Sequence, residues 1–318
     1  MVHIQTVRGP VALEDLGDTM MHEHVFWQHD EALRGRSMNF VRRELNRLAS
    51  FGAKTIVDAG PHLARKMDWY KEIQPQIGPS IVLSTGFYVE QAVSPEVKAL
   101  SEDAYVERFT RELLEGIAGS GLRAGVIKMS ANKAQMTDWE KKAFRAGARV
   151  QAATGVPVCC HTIEGARQQF DTLVGAGADP ERIYMSHVEA EFGWEGRTLR
   201  EQALYLEKIG REGGSFFFNN FALWRDTPDE DLAFLMKYLA EKGLLSRIFM
   251  GIDGNFHFDA EGNIWWEAED QFPEYGCRDY AYTYTGAVPL CRKWGFSEAE
   301  IHTILNENPK RMFSTTRI

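Results

Sequence analysis

Eight times along this chain a short apolar run rich in β-branched residues gives way to a longer stretch, and most of the stretches between runs have helical period. Few folds accommodate that alternation. The runs are read as strands near 19–25, 54–58, 80–84, 124–129, 156–161, 182–187, 214–218 and 247–252. Between them, helices are expected over 39–51, 63–74, 101–118, 137–154, 164–176, 198–212 and 228–242. Gly52, Gly155 and Gly243 follow helices where a left-handed residue closes the last turn. Thr137, with Glu140 three residues on, reads as a capping box. Strands that are apolar along their length must be covered on both faces, which implies a parallel sheet clothed by helices. A closed (β/α)8 TIM barrel and an open doubly wound sheet both satisfy this. No GxGxxG turn follows the first strand, which favours the barrel, and a single domain over 1–318 is expected.

Charge and composition narrow the partners. A formal net charge of -9, from 36 basic and 45 acidic residues, argues against nucleic acid, whose phosphates would be repelled. No apolar run is long enough to span a bilayer, and MVHIQTVRGPVALEDLGDT has no basic segment leading into an apolar core. Cys159, Cys160, Cys277 and Cys291 show no CxxC spacing, which suits a reducing compartment. A cytoplasmic protein with no membrane partner is expected.

The chemistry lies at strand ends. His22 and His24 are two apart in a strand, so both side chains leave from one face. His161 and His187 each end a different strand, and Asp253 ends the eighth. Barrel enzymes collect their catalytic groups at the C-terminal ends of strands. Four imidazoles and a carboxylate converging there suit zinc, manganese, iron or cobalt. Lys128 sits among apolar neighbours in AGVIKMS, at the end of the fourth strand. A buried, unpartnered ammonium is costly, and cations would repel it. Carboxylation by carbon dioxide would turn it into an anionic bridge between two metals. Alternatively, it reaches solvent at the strand end or pairs with Asp253.

The order HEH at 22–24, Lys128, His161, His187 and Asp253 resembles the ligand set of the phosphotriesterase-like family of the amidohydrolase superfamily, which includes phosphotriesterases, lactonases and phosphotriesterase homology proteins. TVRGPVALEDLGDTMMHEHVF is similar to that family's opening, and ILNENPKRMFS to its closing helix. The resemblance implies two divalent transition metal ions, zinc foremost. His22, His24 and Asp253 would hold the inner ion and His161 and His187 the outer one, with N6-carboxylated Lys128 bridging both. It further implies a shared hydroxide as nucleophile, Asp253 as the group that accepts its proton, and Tyr88 as a residue orienting substrate.

Two departures bear on the substrate. The loop FNNFALWRDTPDE after the seventh strand lacks the histidine of the best-known phosphotriesterases, and Arg225 is the candidate for the basic residue that lactonases often place there. The segment 254–281 after the eighth strand is long for a compact domain and carries Trp265 and Trp266, candidates for a substrate-binding wall; a lid or an interface would explain its length. Cys159 is expected to share the inward face with His161. The expected activity is hydrolysis of a carboxylic ester, a lactone foremost. Phosphotriester hydrolysis and N-acyl amide hydrolysis are alternatives, and a metal-free ligand-binding barrel is the non-enzymatic one. The expected partners are a small ester, lactone or organophosphate and a second copy in a homodimer.

Overall fold

The structure, a computed structural model, describes residues 2–26, 30–61, 65–222, 227–254, 256–258, 264–266 and 279–318, with 194, 257, 258 and 264–266 described by backbone alone. A small antiparallel pair, β1 (His3–Ile4) and β2 (Val11–Ala12), opens the chain. Then come β3 (Asp18–Glu23), β4 (Ala53–Asp58), β5 (Ser80–Gly86), β6 (Ala124–Ala131), β7 (Val158–Thr162), β8 (Ile183–Ser186), β9 (Ser215–Phe218) and β10 (Ile248–Met250). These eight strands pair in chain order, every pair parallel. Each lies on one of the eight runs read from the sequence. The barrel, not the open sheet, is what forms.

The helices between the strands are α1 (Arg34–Ser50), α2 (Met67–Ile73), α3 (Pro95–Lys98), α4 (Glu102–Leu114), α5 (Asp138–Thr154), α6 (Ala166–Gly175), α7 (Glu191–Glu195), α8 (Leu199–Arg211) and α9 (Asp229–Glu241), and all but the short α3 and α7, which the period does not announce, lie on the expected stretches. The capping box at α5 is complete, with Glu140 N–H donating to Thr137 Oγ1 at 3.1 Å and Thr137 N–H to Glu140 Oε2 at 2.8 Å. Gly155 closes the same helix at φ 69°. Two readings need correction. The expected helix 101–118 stops at Leu114, because Gly116 takes φ 124° and breaks the turn. The segment 254–281 contains an antiparallel hairpin, β11 (Phe256–Phe258) with β12 (Ile264–Trp266), whose register pairs Phe256 with Trp266 and His257 with Trp265.

Strand residues sort into two cores. Ile56, Ile81, Ile127, Met129, Phe216 and Phe218 pack outward with Val41, Leu45, Phe109, Phe144 and Leu206 of the helices. Val57, Val82, Val126, Cys159, Tyr184, Phe217 and Phe249 fill the barrel interior, with Ile4, Leu16, Met312 and Phe313 joining this inner cluster. The interior is thus a packed plug, and side chains above it can only collect at the mouth.

The ring closes between β10 and β3 through a side chain. Glu23, buried, accepts hydrogen bonds from Ile252 N–H at 3.1 Å and from Gly254 N–H. His24 N–H donates to Gly254 O at 3.0 Å across the same seam.

Candidate metal centre

Strand ends deliver the candidate ligands to one place. The register of β3 against β4 shifts between Met20 and Glu23, so the strand is not evenly pleated there. His22 and His24 nonetheless both reach Asp253 Oδ1, at 3.3 and 3.1 Å from their Nε2 atoms. His187 Nε2 lies 3.6 Å from Asp253 Oδ2. Ligand atoms of His22, His187 and Asp253 all lie within 4.8 Å of one another. His161, from β7, packs its ring edge-on to His187 with centroids 4.5 Å apart. His187 and Asp253 adopt φ of 64° and 52°, a left-handed backbone that side chains disfavour. Strain of this kind persists where surrounding structure imposes it, and it is common at functional sites.

Lys128 is fully buried, with Nζ 2.8 Å from His22 Nε2 and 3.9 Å from Cys159 Sγ. Among the described residues it has no carboxylate ion-pair partner, so neither pairing with Asp253 nor escape to solvent occurs. Its backbone is pinned by close approach of β5: Phe87 N–H donates to Lys128 O at 2.9 Å, and any Cβ on Gly86 would collide with that carbonyl.

Electrostatics prepare the cluster for a cation. Burial foremost, then the Lys128 ammonium, lowers His22 well below the usual histidine range. Burial, then His187, does the same for His161, and burial lowers His187. Burial alone would push the Asp253 carboxyl up, but His22 and His24 hold it well below the usual carboxylate range. Neutral imidazoles and an ionised carboxylate are the forms that bind metal. Buried Nε2 atoms of His161 and His187 have no hydrogen-bond partner among the described residues. A buried polar atom left unpaired is costly, and a cation would satisfy both. The donor set fits the expected metals.

Around these residues lies a polar layer that sequence reading missed. Glu189 Oε1 accepts from Asn219 N–H and Asn220 N–H, each at 2.7 Å, and Thr227 Oγ1 donates to Glu189 O at 3.0 Å. Asn219 Oδ1 accepts from His187 N–H at 3.1 Å. The only sequence signal was polarity out of place: an Asn pair ending an FFF strand, and glutamates among apolar neighbours. Tyr88, half-buried, sets its ring edge-on to His161 at the mouth, with centroids 5.4 Å apart. Arg225 lies outside the described residues, as do the side chains of Trp265 and Trp266. No helix among the described residues is long and apolar enough to cross a membrane.

The model of the Phosphotriesterase family matches residues 2–313. A phosphotriesterase homology protein of Mycobacterium tuberculosis is 25% identical over 337 residues, with 98% of each chain covered. An N-acetyltaurine hydrolase of Salmo salar is 26% identical over 352 residues, covering 97% of each. A solved structure described as organophosphate hydrolysis engineered from a weak promiscuous lactonase template superposes with TM-score 0.82 at 26% identity, covering 98% of this chain and 100% of the other. With the candidate ligands gathered at the strand ends and the match running nearly end to end, this chain belongs to the phosphotriesterase family.

Proposed function

We propose that the protein is a metal-dependent hydrolase that cleaves a carboxylic ester, with a lactone as the expected form. The observation that carries this is the convergence of His22, His24 and His187 on the two oxygens of Asp253 at 3.1–3.6 Å. His22, His24 and Asp253 would hold one divalent ion, zinc foremost, and His161 and His187 a second, with carboxylated Lys128 between them. When bound, such ions supply a Lewis acid and water activated at neutral pH. The chain's own residues do the rest. Asp253, kept ionised by His22 and His24, would take a proton from the attacking water and return it to the leaving group. Tyr88, against His161 at the mouth, orients the carbonyl group. The packed interior beneath excludes bulk water from below. Trp265 and Trp266 of the hairpin after the last strand are proposed as the wall that selects the acyl group, and Arg225 as a further substrate contact.

A second reading, N-acyl amide hydrolysis, is favoured by the N-acetyltaurine hydrolases that align along nearly the whole chain. The engineered lactonase template supports the ester reading. Metal analysis of protein purified without chelators, followed by a hydrolysis panel of lactones, aryl esters, N-acyl amides and phosphotriesters, separates them. About two equivalents of metal and fastest turnover of lactones is the expected result. Preferential cleavage of N-acyl amides would replace the ester reading with the amide one, and metal-free protein without activity would remove both.

A further inference from the structure

His187 meets two different groups at Nδ1, and they call for different protonation of the ring. Asn219 Nδ2 lies 2.9 Å away and Asn220 Oδ1 3.5 Å. The orientation of the Asn219 amide is fixed, because its oxygen accepts the His187 backbone N–H at 3.1 Å and turning it over would set NH2 against N–H. Asn219 therefore presents a donor to Nδ1. A neutral imidazole that accepts at Nδ1 carries its proton on Nε2, the atom facing Asp253. A cation at Nε2 requires the opposite tautomer, with the proton on Nδ1, and that proton needs an acceptor. Among the described residues at Nδ1, the Asn220 carbonyl is the one that can accept.

We infer that Asn219 and Asn220 form a tautomer-selecting pair behind His187. Asn219 holds the ring in its metal-free form, and Asn220 Oδ1 takes the Nδ1 proton when Nε2 is given to a cation. Both are positioning residues. The pair is anchored, since Glu189 Oε1 grips both backbone N–H groups at 2.7 Å and Asn219, Asn220 and Glu189 are all buried. Asn219 Nδ2 also lies 3.3 Å from Asn220 Oδ1, so the amide has a second acceptor when the ring no longer offers one. No net proton is gained or lost by the ring: one moves from Nε2 to Nδ1. A neutral carbonyl fixes the metal-binding tautomer more weakly than a carboxylate would.

The inference rests on the metal-centre reading, and its test keeps the two apart. Zinc affinity and stoichiometry are measured by chelator competition on wild type, Asn220→Ala and the isosteric Asn220→Asp. Ring nitrogen shifts of His187 are followed by NMR with and without zinc. Wild type should bind two ions and move the His187 proton from Nε2 to Nδ1 on loading. Asn220→Ala should bind the ion at His187 about 10–100-fold less tightly, the usual cost of losing the outer partner of a ligating histidine. Asn220→Asp should bind it more tightly than wild type. In metal-free protein, Asn219→Ala should shift His187 towards the Nδ1–H form. Wild type that binds two ions, with both Asn220 variants equal to it and the tautomer unchanged, overturns the pair's role alone. Wild type that binds no metal overturns the metal-centre reading and this inference with it.

Discussion

Replacing Glu23 tests the closure of the barrel without reference to catalysis. Its carboxylate is the acceptor for two backbone donors, Ile252 N–H and Gly254 N–H, and the side chain is buried, so water cannot take its place. A buried donor left without a partner costs about 1–3 kcal/mol, so Glu23→Ala should destabilise the protein by about 2–6 kcal/mol. Glu23→Gln keeps one carbonyl acceptor but turns an NH2 towards the other N–H and removes the charge from both bonds; a loss of about 2–3 kcal/mol is expected. Against the roughly 5–15 kcal/mol that holds ordinary domains together, either is substantial. The assay is urea unfolding of metal-free protein at neutral pH, followed by tryptophan fluorescence, comparing midpoints at constant slope. A Glu23→Gln protein within about 0.5 kcal/mol of wild type, the range of an ordinary surface substitution, would refute the argument that this carboxylate closes the ring.

Other expectations follow from residues already placed. Lys128→Ala should lose metal and activity and recover part of both when a short-chain carboxylate and metal are added, while Lys128→Glu should retain more metal than Lys128→Ala; full activity in Lys128→Ala rules out a bridging role. Tyr88→Phe keeps the ring against His161 and removes one hydroxyl, so kcat/KM should fall about tenfold, the worth of one hydrogen bond, with metal content unchanged. Burial pushes the Glu191 carboxyl up to about 7 from 4.5, so the folded protein keeps a proton that the unfolded chain releases. That stabilisation is complete below 4.5 and is lost as pH rises through about 7, so Glu191→Gln should gain in Tm relative to wild type between about pH 5 and pH 8. An unchanged Tm difference across that range would show that Glu191 is already ionised.

Much of this was legible because it is periodic. Apolar runs such as 54–58 and 124–129 lie on strands β4 and β6, and Gly155 ends α5 as read. Lys128, His161, His187 and Asp253 stood out as polar residues closing apolar runs, and the structure brings all four to one mouth. What escaped had no period. Helix α7 is five residues long, too short to show one. The first helix begins at Arg34, not 39, because Asp30 accepts from Ala32 N–H at 2.9 Å and starts a turn ahead of it. Asn219, Asn220, Glu189 and Glu23 act through partners far away in sequence, and no local pattern announces such bonds. The left-handed backbones of His187 and Asp253 lie beside those same contacts, and no local pattern announces them either.

The seam at Glu23 also sets an order of assembly. Its bonds to Ile252 and Gly254 span 229 and 231 residues of chain, whereas each strand-to-strand ladder around the ring joins consecutive strands. Contacts of such separation are formed only after the intervening chain has been ordered, since the entropy of closing the loop must be met first. Folding can therefore proceed strand by strand from β3, with the seam among the last contacts made. His22 and His24 stand on one side of it and Asp253 on the other. A nascent or truncated chain that stops short of β10 has none of the pairings between them. The cluster is thus a product of completed folding and cannot be a nucleus for it, and an ion held there would lock a barrel that has already closed.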